Sequence, residues 1–285
     1  MKTPLFALPD ALLIPTVQAA LLEDLGRRGD VTSAAVIAKN STANLAIVSR
    51  DTGILAGMDL ARLAFECIDK TINFSPNASD GDTIKSGQVL AYVSGNTQAL
   101  LQAERTALNF LTHLSGIASM TAKAVAQISH TQAKITCTRK TTPLLRNLQK
   151  YAVRAGGGCN HRMGLDDAIL IKDNHLIYSG TLKQTIANAK ATAGHLIPIE
   201  VEVDTIAQLE EALEAGADFV LLDNMDNDTL KHAVSLCQGR AKTEASGGIT
   251  FERLKTVADC GVDYIALGYL THSVINHDIG LDFLD

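Results

Sequence analysis

Residues 198–223 read PIEVEVDTIAQLEEALEAGADFVLLD. Positions 198–203 and 219–223 read as short, nearly continuous apolar strands. Between them, 205–215 carries apolar residues at helical spacing, and Gly216 stands where a helix should stop. The unit then repeats. Strand-like pieces begin at 198, 219, 242 and 264, at intervals of about 21–23 residues, with helices at 228–237 and 251–260. Two earlier pieces, 135–139 and 168–172, read the same way. Repeated strand–helix units with apolar strands predict an α/β domain: a parallel sheet with helices outside it.

Both a closed barrel and an open doubly wound sheet fit that pattern. The polar residues favour the barrel. Each strand ends in reactive or charged groups: Arg139-Lys140, Lys172-Asp173-Asn174-His175, Glu200-Val201-Glu202, Asp223-Asn224, Ser246-Gly247-Gly248 and Gly268. The carboxyl rim of an α/β barrel is where chemistry is done.

Before residue 134 the pattern is different. Helices are expected at 10–26 and 59–67, a strand at 43–50 and an extended piece from Phe74. Residues 81–95 alternate between flanking glycines in a hairpin-like way. They resemble a biotinyl or lipoyl carrier hairpin, but no lysine is placed at its tip as a carrier requires. Residues 97–115 form an amphipathic helix with Leu100, Leu101, Ala107, Leu108, Leu111 and Leu114 on one face. Glu104 and Arg105 lie on its polar side and read as a solvated pair, and a second helix is expected over 117–129.

Composition narrows the function. The 285 residues are 46% hydrophobic and 20% charged, with a net charge of -6. An acidic chain lacks the extended basic face of a nucleic-acid binder. No apolar run is long enough to span a bilayer, and the first residues lack a signal-peptide pattern. The five cysteines include no C-x-x-C pair, which suits free thiols in a reducing cytoplasm. Cys137 and Cys159 have no evident His–Asp relay, so a thiol nucleophile is not supported.

Against that acidic background, residues 136–175 concentrate Arg139, Lys140, Arg146, Lys150, Arg154, Arg162 and Lys172, with His161 and His175. Such convergence points to a small polyanionic ligand. Arg139, His161 and Arg162 suit carboxylates, whereas Lys140 and Lys172 suit phosphate or pyrophosphate oxygens. Ser246-Gly247-Gly248 between strand and helix, and Gly268 after the next strand, can offer backbone N–H groups to a phosphate. Glu202 and Asp223 end neighbouring strands. They can hold Mg²⁺, which takes oxygen ligands and shares them with substrate phosphates, or they can bind ribose hydroxyls. Glu200 faces the same side as Glu202 by strand alternation. His161 and His175 lack metal-ligand spacing.

T-R-K-T-T-P, G-G-G-x-N-H-R, L-I-K-D-N-H, E-V-E-V, L-D-N, E-A-S-G-G-I and L-G-x-L-T-H-S occur in this order. They resemble the quinolinate phosphoribosyltransferases, type II phosphoribosyltransferases. L-L-E-D-L-G-x-x-G-D-V-T and Q-A-E-R-T-A-L-N-F-L-x-x-L-S-G-I-A near the N-terminus resemble that family too. The resemblance implies an N-terminal α/β sandwich over 1–112, a seven-stranded α/β barrel over 113–272, and a tail, 273–285, packed on the first domain. It implies a cytoplasmic homodimer that takes quinolinate and 5-phosphoribosyl 1-pyrophosphate with Mg²⁺, and no nucleic acid or membrane. Lys140, Glu202 and Asp223 would be catalytic, with Glu202 and Asp223 also at the metal. Arg105 (reaching into the partner's site), Arg139, His161, Arg162, Lys172, Ser246, Gly247, Gly248 and Gly268 would bind substrate. Another carboxylated base as substrate, or a non-catalytic anion sensor, are the alternatives. The family usually has Gly where this chain has Leu144, which reads as acceptable in a first helical turn after Pro143.

Overall fold

The computed structural model describes residues 5–284. The chain divides into two compact units.

The first comprises Met1–Ala122, Leu148–Gly157 and Ser273–Asp285. Its elements are α1 (Asp10–Leu25), α2 (Val31–Val36), β1 (Thr42–Ser49), β2 (Gly53–Ile54), α3 (Met58–Ile68), β3 (Asn73–Pro76), β4 (Thr83–Ile84), β5 (Val89–Asn96) and most of α4 (Thr97–Gln127). Most of α5 (Arg146–Ala155) and the tail strand β12 (Ile279–Phe283) complete it. An antiparallel sheet runs in the order β12-β1-β5-β3. Leu45 to Ser49 of β1 are buried at every position, so both faces of that strand are covered. Leu13, Val17 and Leu21 of α1 and Leu60, Leu63 and Phe65 of α3 supply much of the core.

Asp80 ties three pieces of this unit together. Its carboxylate accepts from the Gly57 and Met58 amides at the start of α3, at 3.0 and 3.1 Å, and from the Tyr151 hydroxyl at 2.8 Å. Burial pushes its pKa up, against those hydrogen bonds.

Two local expectations fail here. The hairpin over 81–95 does not form: β4 pairs with β2, and β5 pairs with β1 and β3. The eight-residue β5 finds longer antiparallel partners than the two-residue β4 can offer. The helices expected at 97–115 and 117–129 are one helix, α4. Gly116 does not break it. A Cβ there would stand 2.2 Å from the Ile275 carbonyl oxygen, so glycine lets the tail cross the helix. The tail is further fixed by the His277 amide, which donates to the Thr112 carbonyl at 2.9 Å, and by the 3.0 Å contact of His277 Nε2 with Ser49 Oγ.

The second unit comprises Lys123–Asn147 and Gly158–His272. It contains β6 (Lys134–Thr136), β7 (Ile169–Ile171), α6 (Asp173–Ser179), α7 (Leu182–Thr192), β8 (Ile199–Val203), α8 (Ile206–Glu214), β9 (Phe219–Asp223), α9 (Asn227–Cys237), β10 (Lys242–Ser246), α10 (Leu254–Ala258), β11 (Tyr264–Ala266) and α11 (Tyr269–His272). Six parallel strands run in the order β6-β11-β10-β9-β8-β7. Thr205 caps α8 in a reciprocal pair with Gln208, and Asp226 caps α9 through the Thr229 amide. Gly216 and Gly261 take positive φ just past their helices, as the sequence predicts. The helix expected at 251–260 is instead a 3₁₀ turn, Phe251–Arg253, leading into α10.

The α/β class, with its parallel-sheet domain and separate antiparallel sheet, is as expected. The paired strands number six among the described residues, one fewer than expected. The seventh segment is reduced to a single parallel bridge between Cys159 and Thr136, on the free edge of β6. From just past that bridge, the His161 ring reaches Glu200 on β8, at 2.8 Å, near the opposite edge of the sheet. Only a sheet curled on itself brings those edges so close. No described helix is long and apolar enough to cross a membrane.

Candidate active site

The site is built on strand ends. Strand alternation turns Glu200 and Glu202 of β8 to one face, and Glu244 and Ser246 of β10 to one face. β9 lies between these strands and closes with Asp223. Arg139 and Lys140 leave the end of β6, Lys172 follows β7, and Gly268 follows β11.

These side chains meet. Lys172 Nζ forms an ion pair with the Glu202 carboxylate. Burial raises the Asp223 pKa and Asp204 raises it further, while Lys172 and Lys140 oppose the rise. Lys140 also lies over Gly268, where a Cβ would come to 3.3 Å from Lys140 Cδ. The Thr271 hydroxyl donates to the Lys140 carbonyl at 2.8 Å and anchors that loop.

The two arginines lie close enough to feel each other's charge. Burial lowers the Arg162 pKa, and the Arg139 guanidinium lowers it further. Arg162 donates to the Ala168 carbonyl at 2.8 Å. Arg139 Nε is buried and makes no hydrogen bond among the described residues.

The glycine-rich turn is shaped by steric necessity. Gly247 has φ 82°, and a Cβ there would fall 2.3 Å from Asn224 Oδ1. Asn224 itself has φ 54°, which asparagine tolerates. Its amide donates to the Ser246 carbonyl at 3.0 Å, and its side chain donates to Asp223 at 2.6 Å. Asn224 thereby joins the carboxylate end of β9 to the turn after β10.

The predicted site residues of the second unit thus surround the carboxyl ends of one sheet. Arg105 lies exposed on α4, in the first unit. Glu244 and Asn224 are added by the structure. Asn224 stood among the strand-end groups without a role, and nothing marks Glu244 when β10 is read as a strand alone, although alternation from Ser246 would have turned it to the same face.

Leu144 corrects the sequence reading. It is not in a helical turn, since α5 starts only at Arg146. It has φ 67° and is 96% exposed, in a turn where the Leu145 amide bonds the Thr142 carbonyl at 3.1 Å. A left-handed leucine costs about 1–2 kcal/mol, and this side chain buries nothing in return. The turn borders a pocket of about 460 Å³ formed by the 141–147 and 163–166 loops.

Two groups of donors fit different cations. Glu202 and Asp223 offer carboxylate oxygens only, and burial with Asp204 nearby works against the charge on Asp223, which suits Mg²⁺ shared with a phosphate. His161, Glu200 and Glu244 bring one nitrogen and two oxygens within 4.8 Å of one another. There, however, the 2.8 Å separation of His161 Nε2 from Glu200 Oε2 is a hydrogen-bond length. A transition metal with ~2.0–2.2 Å bonds would have to push those atoms apart.

Cations paired with buried acids around a glycine-rich turn, all at the carboxyl rim of a parallel α/β sheet, define an enzyme that binds anionic substrates through carboxylate and phosphate groups. Two family models together span most of the chain: the quinolinate phosphoribosyl transferase N-terminal domain over residues 30–115 and its C-terminal domain over residues 117–282. A probable nicotinate-nucleotide pyrophosphorylase (carboxylating) of Bacillus subtilis is 47% identical over 261 residues, covering 92% of this chain and 90% of that protein. The nicotinate-nucleotide pyrophosphorylase (carboxylating) of Mycobacterium leprae is 43% identical, covering 94% and 95%. The solved nicotinate-nucleotide pyrophosphorylase of Francisella tularensis superposes with a TM-score of 0.93 at 35% identity, over 100% of both chains. The chain belongs to the quinolinate phosphoribosyl transferase family.

Proposed function

We propose that the protein transfers the phosphoribosyl group of 5-phosphoribosyl 1-pyrophosphate to quinolinate, releasing pyrophosphate and CO₂ and leaving nicotinate mononucleotide, a step of NAD biosynthesis in the cytoplasm. The observation that carries this reading is the arginine pair. Arg139 keeps a buried donor unused, and its charge disfavours the charge on Arg162. A ligand with two adjacent carboxylates removes both penalties at once.

In this reading Arg139, His161, Arg162 and Lys172 clamp the ring carboxylates. Ser246, Gly247, Gly248 and Gly268 seat the 5′-phosphate through backbone and hydroxyl donors. Glu202 and Asp223 hold the ribose hydroxyls and Mg²⁺, directly or through water. When bound, Mg²⁺ neutralises charge on the leaving pyrophosphate. Lys140 does the same from the protein side. The bond from ribose C1 to the pyrophosphate oxygen breaks, with its electron pair leaving on pyrophosphate. The pyridine nitrogen supplies a pair to the oxocarbenium-like carbon. The ring is then cationic, and the carboxylate beside the nitrogen leaves as CO₂. Its bonding pair stays on the ring carbon, which takes up a proton. No covalent enzyme intermediate is needed; positioning and electrostatics supply the acceleration.

The working form in this proposal is a homodimer in which Arg105 of each subunit enters the other's site. The test is incubation of pure protein with quinolinate, the phosphoribosyl donor and Mg²⁺, following nicotinate mononucleotide and CO₂ together. Product with nicotinate in place of quinolinate and no CO₂ would favour a different base; no pyrophosphate release with any base would refute catalysis.

A further inference from the structure

We propose that Glu244, with Glu200 beside it, is a positioning residue for substrate binding: the two carboxylates hold the His161 ring in the clamp. The inference rests on the clamp described above and adds a layer beneath it.

Glu200 lies two residues before Glu202 on β8, and Glu244 lies two residues before Ser246 on β10. They therefore sit one step deeper on the same interior face. Both are buried, with 9% and 6% of their surface exposed. Both converge on a single atom: His161 Nε2 is 2.8 Å from Glu200 Oε2 and 3.7 Å from Glu244 Oε1. Two buried carboxylates are destabilising unless cations answer them. Glu200 is answered by its contact with the His161 ring and by the charge of the Arg162 guanidinium.

The backbone that carries His161 needs this support. Residues 158–168 form no helix and no strand beyond the single bridge at Cys159. A side chain on such a loop is located by what its tip contacts. The ring meets Glu200 at hydrogen-bond length and stands against the Glu244 carboxylate, whose Oε1 lies beyond that length at 3.7 Å; both acids sit on rigid strands, which carry the precision that the loop lacks. Glu244 thus acts on substrate through His161 and never touches it.

The test is a double-mutant cycle on Glu244→Gln, His161→Gln and the pair, read as the calorimetric Kd for quinolinate and the KM for each substrate. Glutamine keeps the shape and an acceptor oxygen, so folding is checked by Tm and is expected to hold. E244Q should weaken quinolinate about tenfold and leave the KM for the phosphoribosyl donor within about twofold. Once His161 is gone, E244Q should add no more than about twofold, because its effect passes through the ring. Additive losses, or equal losses for both substrates, would overturn the inference while leaving the proposed reaction standing. A wild-type protein that neither binds quinolinate nor makes nicotinate mononucleotide would overturn both.

Discussion

Replacing Arg139 with alanine removes one of two neighbouring guanidinium groups, and the structure predicts opposite consequences for binding and for folding. In the free protein Arg139 has a buried Nε without a hydrogen bond, and it disfavours the charge on Arg162. Its removal should therefore leave Tm unchanged or slightly raised. With substrate present the same residue would supply charge-assisted hydrogen bonds to a ring carboxylate. Such bonds contribute about 1.5–3 kcal/mol, so the KM for quinolinate should rise about ten- to hundredfold. The phosphoribosyl donor binds by other groups, and its KM should move about twofold or less. The assay is steady-state kinetics with each substrate varied at saturation of the other, beside a thermal melt of the free protein. Equal rises in both KM values, or a clear fall in Tm, would refute the reasoning, since either would mean that Arg139 holds the fold and not the ligand.

An Arg105→Ala variant and an Arg139→Ala variant, each feeble alone, should regain activity when mixed under conditions of subunit exchange. Random pairing gives half hybrids with one whole site each, so the ceiling is about a quarter of wild type; no recovery with exchange verified by mass spectrometry would rule out a shared site. Asp223→Asn should abolish turnover yet keep or raise Tm at neutral pH. The sign follows from the raised pKa of Asp223: its folded form favours the proton, so ionisation weakens the fold as pH climbs through that pKa. The Tm difference between variant and wild type should shrink on acidification, and a difference that grows would contradict the assignment. Leu144→Gly should stabilise the protein by up to about 1 kcal/mol, the relief of left-handed leucine less the extra freedom of glycine in the unfolded chain. Denaturant melts that show a loss instead would mean that the exposed side chain has a partner.

The architecture was legible where the chain repeats itself. The strand ends at Asp223 and Ser246 fall where apolar spacing places them, because each parallel strand is a short buried run with a helix-capping residue or glycine after it. The helix through Gly116 was not legible. Glycine reads locally as a stop, and only the tail carbonyl of Ile275, 159 residues later, explains it. The hairpin at 81–95 failed for a related reason: the partners of β5 lie at 42–48 and 73–76, beyond any local window. Around the site, chemistry revealed the rim residues, since Lys, Arg, Glu and Asp at strand ends are conspicuous. Glu244 was hidden because depth along a strand, unlike side-chain type, becomes visible only when opposite strands are brought face to face. The backbone at Leu144 was misread because a single φ is not written in apolar spacing.

The β12 strand has a consequence for how the polypeptide is made. Its pairing with β1 joins Ile279–Phe283 to Leu45–Ser49, so one edge of the first-unit sheet is closed only by a segment made long after the rest of it. The second unit ends at His272 and includes none of those residues. β1 can pair with β5 as soon as both are made, whereas its other side stays open until the second unit has been made and 279–283 returns to it.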